Sequence, residues 1–388
     1  MKLSDIAYFV SEKVSSIDIS VADYITTDCL LPNKEGRTVA ANLPPKKCTL
    51  TQYRKGDVLV ANIRPYLKKV WLADSEGGAS ADVLVFRARE GFTSSYLFAV
   101  LLQDSFYEWT MASNRGTQMP RGDKNHIMQF DVPDLGNTHI FVGDFIVNMS
   151  HKIALNRQIN QNLEALARQL YDYWFVQFDF PDANGKPYKS SGGKMVYNPI
   201  LKREIPEGWE NIKLAELVRL EDSKRIPLST YERENRKGIY PYYGATGIMD
   251  YIDDYLFDDE IILLAEDGST SDEHGFPIVQ YVWGKVWVNN HAHIIYPRNL
   301  NHKIYTYFLL KQIPAKLIET GSIQKKINQD NLLKYNSIKV PTNILDDFTK
   351  IVSPLWRKKM ITTEEILSLT KQRDELLPLL MNGQVTVE

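Results

Sequence analysis

The chain has 388 residues, 44% of them hydrophobic and 24% charged, with a formal net charge of −2. That is an ordinary globular composition, long enough for a substantial core and for two or three domains, and its near-neutral balance leaves any nucleic-acid contact to local basic patches. Cys29 and Cys48 are too few for a disulfide framework, Met1-Lys2-Leu3-Ser4-Asp5 lacks a signal-peptide core, and no stretch has the apolar length to span a bilayer, so a reduced, cytoplasmic protein is expected.

From the N-terminus, short apolar runs bounded by Gly, Pro, Asn and Asp, such as Asp57 to Ile63 and Asp82 to Phe86, predict strands. After Val132-Pro133 the pattern becomes helical. Met149, Asn156, Ile159, Leu163, Leu166, Leu170 and Tyr173 follow the alternating three- and four-residue spacing of a coiled-coil seam, with Asn156 at a position where a polar side chain fixes register at a cost in stability. Residues 182–206, with Gly185, Pro187, Ser190-Ser191-Gly192-Gly193, Pro199 and Pro206, predict a connecting loop. Strand-like runs then return at Glu260 to Ala265 and Ala292 to Tyr296. Val340-Pro341 leads into a second seam of Val352, Leu355, Ile366, Leu369, Leu376 and Leu380, interrupted by Arg373.

This order is an internal repeat. Asp347-Phe348 lies 203 residues beyond Asp144-Phe145, and at the same shift Leu163-Glu164-Ala165-Leu166 falls without a gap on Ile366-Leu367-Ser368-Leu369. Upstream, Lys2-Leu3-Ser4-Asp5-Ile6 matches Lys213-Leu214-Ala215-Glu216-Leu217, and Gly56-Asp57-Val58-Leu59-Val60 matches Asp259-Glu260-Ile261-Ile262-Leu263. Val70-Trp71-Leu72 is paired with Val286-Trp287-Val288, and Gly116-Thr117-Gln118 with Gly321-Ser322-Ile323. The expected fold is α+β: two tandem α/β domains, each followed by a long helix, with the helices packing as an antiparallel coiled coil of pseudo-twofold symmetry. The expected boundaries are 1–140 for the first domain, 141–180 for its helix, 181–208 for a linker, 209–343 for the second domain and 344–388 for the distal helix and tail. A helix of about 30 residues is about 45 Å long, comparable to the ~34 Å of one turn of B-DNA.

The run Leu155-Asn156-Arg157-Gln158-Ile159-Asn160-Gln161-Asn162-Leu163-Glu164-Ala165-Leu166-Ala167, continued by Leu170-Tyr171-Asp172-Tyr173-Trp174-Phe175-Val176, resembles the central helical region of type I restriction–modification specificity subunits. Lys189-Ser190-Ser191-Gly192-Gly193-Lys194-Met195-Val196 and Ile205-Pro206-Glu207-Gly208-Trp209 are similar to that family too; its Pro-x-Gly-Trp commonly opens a target recognition domain. The first domain starts at Met1-Lys2-Leu3 with no counterpart of Ile205 to Trp209. The resemblance implies a non-catalytic reader of a bipartite double-stranded DNA target, one half-site per domain. It further implies helices that set the spacer and dock two methyltransferase subunits, together with restriction/translocase subunits. No cofactor is expected here, S-adenosylmethionine and ATP/Mg being bound by those partners.

DNA affinity needs Lys and Arg against phosphates, and specificity needs side chains that reach base edges. Residues 114–124, with Arg115, Thr117, Gln118, Arg121 and Lys124, are the first candidates, and Ser322, Gln324, Lys325 and Lys326 are their repeat mates. Asn62, Arg64, Lys68 and Lys69 form a second group, whose rough counterpart in the other half is the acidic, hydroxyl-rich Glu266-Asp267-Gly268-Ser269-Thr270, with Ser269 and Thr270 as candidates. Tyr243 and Thr246 are further candidates, although strand-edge packing also suits the tyrosine. Lys224-Arg225 and Arg233 to Lys237 suit phosphate contacts or a solvated charge run equally. The seam itself is expected to comprise Asn156, Ile159, Leu163, Leu166, Leu170, Leu355, Ile366, Leu369 and Leu376.

Enzyme signatures fail one by one. Asn42-Leu43-Pro44-Pro45 and Asn198-Pro199-Ile200 miss the Asn/Asp-Pro-Pro-aromatic motif of amino methyltransferases, and Gly193-Lys194-Met195 lacks the upstream glycine and the hydroxyl of a P-loop. His291 and His293, with His274 and His302, lack usable zinc spacing, so no metal site is expected. A self-contained methyltransferase or nuclease with divergent motifs stands as the alternative, and a protein-only scaffold as a third reading.

Overall fold

The computed structural model describes residues 1–113, 119–321 and 325–385. The chain divides into two compact units: Met1–Asn160 with Ile361–Glu388, and Gln161–Met360. Each of two long helices, central (His139–Tyr171) and distal (Thr342–Met381), contributes to both.

In the first unit the strands are β1 (Ala7–Phe9), β2 (Lys13–Ser15), β3 (Tyr24–Ile25), β4 (Thr49–Tyr53), β5 (Val58–Ala61), β6 (Val70–Leu72), β7 (Gly77–Ala79) and β8 (Val83–Ala88). They form an antiparallel sheet of order β1-β8-β5-β6 and a second sheet of order β2-β4-β7-β3. Val58 and Val60 face a core with Leu3, Phe86, Leu97 and Phe106, whereas Leu59 and Ala61 face one with Ile25, Tyr53 and Trp71. A sheet covered on both faces needs apolar residues at every position, which is why β5 and β8 read as continuous runs rather than alternation. The first of these cores is closed by Val142 and Ile146 of the central helix and by Leu377, Leu380 and Met381 of the distal helix. The central helix rests against the start of the Ser94–Leu102 helix at Gly143, where a Cβ would lie 2.4 Å from the Tyr96 backbone nitrogen.

In the second unit a hairpin of β9 (Met195–Asn198) and β10 (Arg203–Pro206) comes first, followed by β11 (Glu210–Lys213) and β12 (Val218–Leu220). Next come β13 (Lys237–Tyr243), β14 (Ile248–Ile252), β15 (Phe257–Asp258), β16 (Ile261–Ala265), β17 (Val279–Val282), β18 (Lys285–Val288) and β19 (Ala292–Pro297). The unit ends with β20 (Glu319–Thr320), β21 (Lys326–Ile327) and β22 (Asn336–Lys339), the last paired with β11. The sheet β12-β19-β16-β17 has the strand order of β1-β8-β5-β6. Its core is completed by Ala167, Tyr171, Trp174 and Phe175 from the central helix and its π-helical extension, and by Phe348, Val352 and Trp356 from the distal helix.

Two expectations about strands and linker need correcting. Val70-Trp71-Leu72 and Val286-Trp287-Val288 are not equivalent: β6 is an edge of the β1-containing sheet, while β18 runs parallel to β13 in the other sheet, and β17 occupies the place of β6. Short buried strands draw on the same few residue types, so a Val-Trp pair does not distinguish them. Residues 182–206 are not simply a loop, because the β9–β10 hairpin lies within them and the preceding turn is pinned by Asp179, which accepts from the Ser190 backbone nitrogen (2.7 Å) and hydroxyl (2.6 Å). Phe178, Phe180 and Trp209 pack together there, with ring centroids 5.0–5.8 Å apart.

The helices run antiparallel where they meet. In the first unit Lys152 pairs with Glu365 (3.2 Å) and the Asn160 amide donates to the Thr363 hydroxyl (2.8 Å). In the second unit Lys359 pairs with Glu164 (2.7 Å). Burial acts to raise the Glu164 carboxyl, but Lys359, Lys311 and the Tyr307 hydroxyl outweigh it and hold the group below its ordinary value. Of the expected seam, Asn156 is buried and Ile159, Leu163, Leu170, Leu355, Ile366, Leu369 and Leu376 are half-buried. Leu166 is 43% exposed and Ala167 fully buried, so the stripe moves by one residue there as the helix turns toward the aromatic core at Tyr171 and Trp174. Arg373 does not break the seam; it is buried on it, with its guanidinium on Asp374 at 2.9 Å.

This sharing of the distal helix makes a specific expectation. Truncating Leu377, 1% exposed, to Ala should cost about 2–5 kcal/mol. Amide hydrogen exchange should then accelerate in β5 and β8 but not in β16 and β19; unchanged protection in β5 would refute the closure of the first core by this helix.

Candidate nucleic-acid interface

In each unit a loop after the central strand of the sheet is clasped to a segment far along the chain. In the first, Ile63 bridges Arg121, the Arg64 nitrogen donates to Pro120 O (2.9 Å) and the Gly122 nitrogen to Asn62 O (3.2 Å). A Cβ at Gly122 would sit 2.8 Å from Asn62 Oδ1 and 2.7 Å from a Thr110 methyl, so the approach needs glycine. In the second, Asp267 bridges Lys326 and the Ile327 nitrogen donates to Glu266 O (2.8 Å). The loops have the same place in the two folds and carry different side chains.

The first clasp holds the candidates unequally. Arg64 is exposed, has no side-chain partner among the described residues, and sits in the left-handed region at φ 52°, a conformation a non-glycine residue adopts at a cost. Arg121 is exposed and paired with Asp82 at 2.5 Å. Lys124 opens a short helix capped by Asp123, its ammonium 5.7 Å from the Phe9 ring centre. Lys68 shares Asp104 with the buried Lys34, at 2.9 and 2.8 Å; burial acts to raise Asp104, and the two lysines more than offset it. Lys69 donates to Thr27 O (2.6 Å). Asn62 is 6% exposed, and its main chain makes the clasp. Its burial runs against the expectation that Asn62 is a DNA contact and leaves it a part of the loop's frame. Arg115, Thr117 and Gln118 lie outside the described residues.

In the second unit Ser269 is exposed but Thr270 is buried, donating to Glu319 at 2.6 Å, so its hydroxyl serves the fold, a second correction. Lys325 also pairs with Glu319 (3.1 Å), and Lys326 with Glu266 (2.9 Å). Ser322 and Gln324 lie outside the described residues. Thr246 is exposed at the β13–β14 turn, which Gln280 ties down through Ala245 O (3.1 Å). Tyr243 is half-buried; burial, then Tyr251, pushes its hydroxyl up to about 12. Its neighbour Tyr242 is structural, accepting from the Leu228 nitrogen (2.9 Å).

Behind the second clasp lies a buried charge cluster whose members have no telling spacing along the chain. Its members Asp222, Glu266 and His293 come from three separate elements. His293 Nδ1 meets Asp222 at 2.5 Å, and Nε2 meets Ile327 O at 2.7 Å. Arg225 reaches Glu266 at 2.6 Å and Ala292 O at 2.9 Å, so it locks the fold rather than offering itself to a phosphate. Ligand atoms of the three residues lie within 4.8 Å of one another. A cation fits them poorly: Arg225 and Lys326 already bring positive charge to the carboxylates, and both histidine nitrogens are engaged. Burial acts to raise Asp222 and Glu266, but His293 on the first, and Arg225 and Lys326 on the second, hold both below their ordinary values.

A family model described as the type I restriction modification DNA specificity domain matches residues 206–368. The type I restriction enzyme MjaIX specificity subunit of Methanocaldococcus jannaschii is 26% identical over 372 residues, covering 88% of this chain and 81% of that protein. A putative type I restriction enzyme specificity subunit of Haemophilus influenzae is 30% identical over 151 residues, 39% of this chain and 37% of that one. In fold, the chain is similar to the crystal structure of a type I restriction-modification S subunit from M. genitalium, with a TM-score of 0.56 at 14% identity over 97% of this chain and 94% of that one.

The cluster predicts an acid dependence. Because the folded carboxyls lie below their unfolded values, their contribution is complete above about pH 5 and is lost as pH falls through the ordinary Asp value of 3.8 and on through the lower folded value. Replacing Asp222 by Asn should lower the thermal midpoint at pH 7 and flatten its decline between pH 5 and 3; parallel curves for the two proteins would exclude this role.

Proposed function

We propose that the chain is a specificity subunit of a type I restriction–modification system, as its matched domain and its relatives suggest, and that its parts divide the work as follows. Residues 1–140 and 209–343 are target recognition domains, each reading one half of a bipartite target. The helices, 141–180 and 344–388, joined through 181–208, set the spacer between half-sites and dock two methyltransferase subunits. S-adenosylmethionine and ATP/Mg are bound by those subunits and by restriction/translocase subunits. The chain supplies recognition to a multisubunit adenine methyltransferase and ATP-dependent endonuclease in a bacterial or archaeal cytoplasm. No helix among the described residues is long and apolar enough to cross a membrane.

The observation that carries the division is the shared clasp. Two sheets of one strand order present equivalently placed loops, fixed by main-chain bonds and differing in side chains. A backbone held constant while its side chains change is what two readers of different half-sites need, since phosphate contacts position a protein and base-edge contacts specify the sequence. The relatives do not favour a self-contained methyltransferase or nuclease.

Within the first loop Arg64 is the foremost base-edge candidate, because its guanidinium gives up no ion pair to reach a guanine. Arg121, Lys68, Lys124, Lys325 and Lys326 are phosphate candidates, and Ser269, Thr246 and Tyr243 polar contacts of the second half.

Methylome sequencing of a methylation-free host expressing this chain with its methyltransferase subunit should reveal a bipartite motif with adenines modified on both strands, absent when the chain is omitted. Exchanging residues 1–140 for those of a relative should change one half of that motif; a change in both halves would end the modular reading. Replacing Arg64 by Ala in the assembled complex should cost about 1–3 kcal/mol of target affinity and relax one position of one half-site. Equal weakening toward all sequences would make Arg64 a phosphate contact instead.

A further inference from the structure

A cleft of about 610 Å³ opens in the second unit between the β9–β10 hairpin, the end of the central helix and the segment leading into β22. Three tyrosines, Tyr171, Tyr305 and Tyr335, and three cations, Lys202, Arg203 and Lys334, line it, and no carboxylate does. Tyr171 and Tyr305 are 4% and 5% exposed, with ring centroids 5.7 Å apart. None of the three hydroxyls has a hydrogen-bond partner among the described residues. The Tyr171 and Tyr305 hydroxyls are not sealed in the core but reach the open cleft, so they are free to donate to a bound group. Burial raises all three above the usual tyrosine value, which keeps them protonated and therefore donors.

The cations are equally uncommitted. Lys202, Arg203 and Lys334 have no acidic partner among the described residues; the Arg203 guanidinium carbon lies over Phe178, 4.8 Å from the ring centre. Asp172, next to Tyr171, accepts the Gln312 amide. Lys202 stands at φ 54° beside a turn in which the Asn198 side chain accepts the Ile200 and Leu201 nitrogens, both at 3.0 Å, so the hairpin tip carrying Lys202 and Arg203 is held in place.

We propose that this cleft binds a phosphorylated small molecule of nucleotide size, with its terminal phosphate held by Arg203, Lys202 and Lys334 and by the hydroxyls of Tyr171 and Tyr305. The volume falls within the roughly 300–1,000 Å³ of ligand pockets. A terminal phosphate carries about −1.5 to −2 charge and three acceptor oxygens, which match three cations and a set of converging donors. A backbone phosphodiester offers a single charge and is blocked by esters on both sides. The aromatic walls and the amides of Asn331 and Asn336 face the rest of such a ligand.

The test is calorimetric titration of the full chain at low salt with ADP, with inorganic pyrophosphate and with adenosine. ADP or pyrophosphate should bind, and adenosine should not. Arg203→Gln should weaken the phosphorylated probe at least tenfold, Tyr305→Phe three- to tenfold, and Lys334→Ala by a similar amount. The thermal midpoint of unliganded Arg203→Gln and Lys334→Ala should match that of the parent. Absence of binding by both phosphorylated probes, binding undiminished by Arg203→Gln and Lys334→Ala, or adenosine binding as tight as ADP would overturn the assignment. So would a result in which only a short DNA duplex loses affinity on Arg203→Gln, which would make the cleft a DNA backbone contact. The proposal stands apart from target reading, since it needs neither partner subunits nor a target sequence.

Discussion

Leu377, Leu380 and Met381, at the far end of the distal helix, pack into the same core as Leu3 and Ile6, and Ala167, Tyr171 and Trp174, at the end of the central helix, pack into the core of the unit that follows them. The first sheet domain is therefore finished by a helix from far along the chain, whereas the second is finished by helix segments contiguous with it. Both helices carry a single apolar stripe of mixed three- and four-residue spacing, and a stripe of that kind must be buried along its whole length. One helix of each pair begins where the other ends, so the stripe of each is covered by its partner and by the two domains in turn.

The polar residues on that stripe have a cost and a use. Asn156, Thr362 and Arg373 are all buried in the first unit, where moving a polar group away from its partners would cost about 1–3 kcal/mol. The same cost penalises every alternative alignment of the helices in which these groups would face leucines. The ion pairs Lys152–Glu365 and Lys359–Glu164 lie one in each unit and add direction to the register.

Most of this architecture was legible in the sequence because two signals coincide. The helical stripe has a period that survives divergence, and the central strands β5 and β16 are apolar at every position because both of their faces are covered. The match of Lys2–Ile6 to Lys213–Leu217 also corresponds to real structure, each being a short helix with an acidic residue in its first turn that accepts the preceding backbone nitrogen. What the sequence hid was whatever depends on partners distant in the chain. Asn62 and Thr270 look like free polar groups in loops, yet one clasps Gly122 and the other Glu319. The alignment of Val70 with Val286 failed because edge and interior strands of two sheets use the same residues. The tyrosines of the β9–β10 cleft escaped notice because Tyr171, Tyr305 and Tyr335 share no spacing, and Leu166 lost its place on the seam because the helix turns one residue early to present Ala167 and Tyr171.

The division of the first unit across the chain also sets an order of events in time. Two hundred residues, Gln161–Met360, separate its two segments. At a ribosomal pace of roughly 5–20 residues per second, that is about 10–40 s of synthesis. Throughout that interval the first sheet domain exists with the surface meant for Leu377, Leu380 and Met381 open to solvent, while the second unit already holds every piece it needs once residue 360 has emerged. The domain made first is therefore completed last, and a newly made chain passes through a stage in which its apolar flank is exposed to chaperones, proteases and other copies of itself.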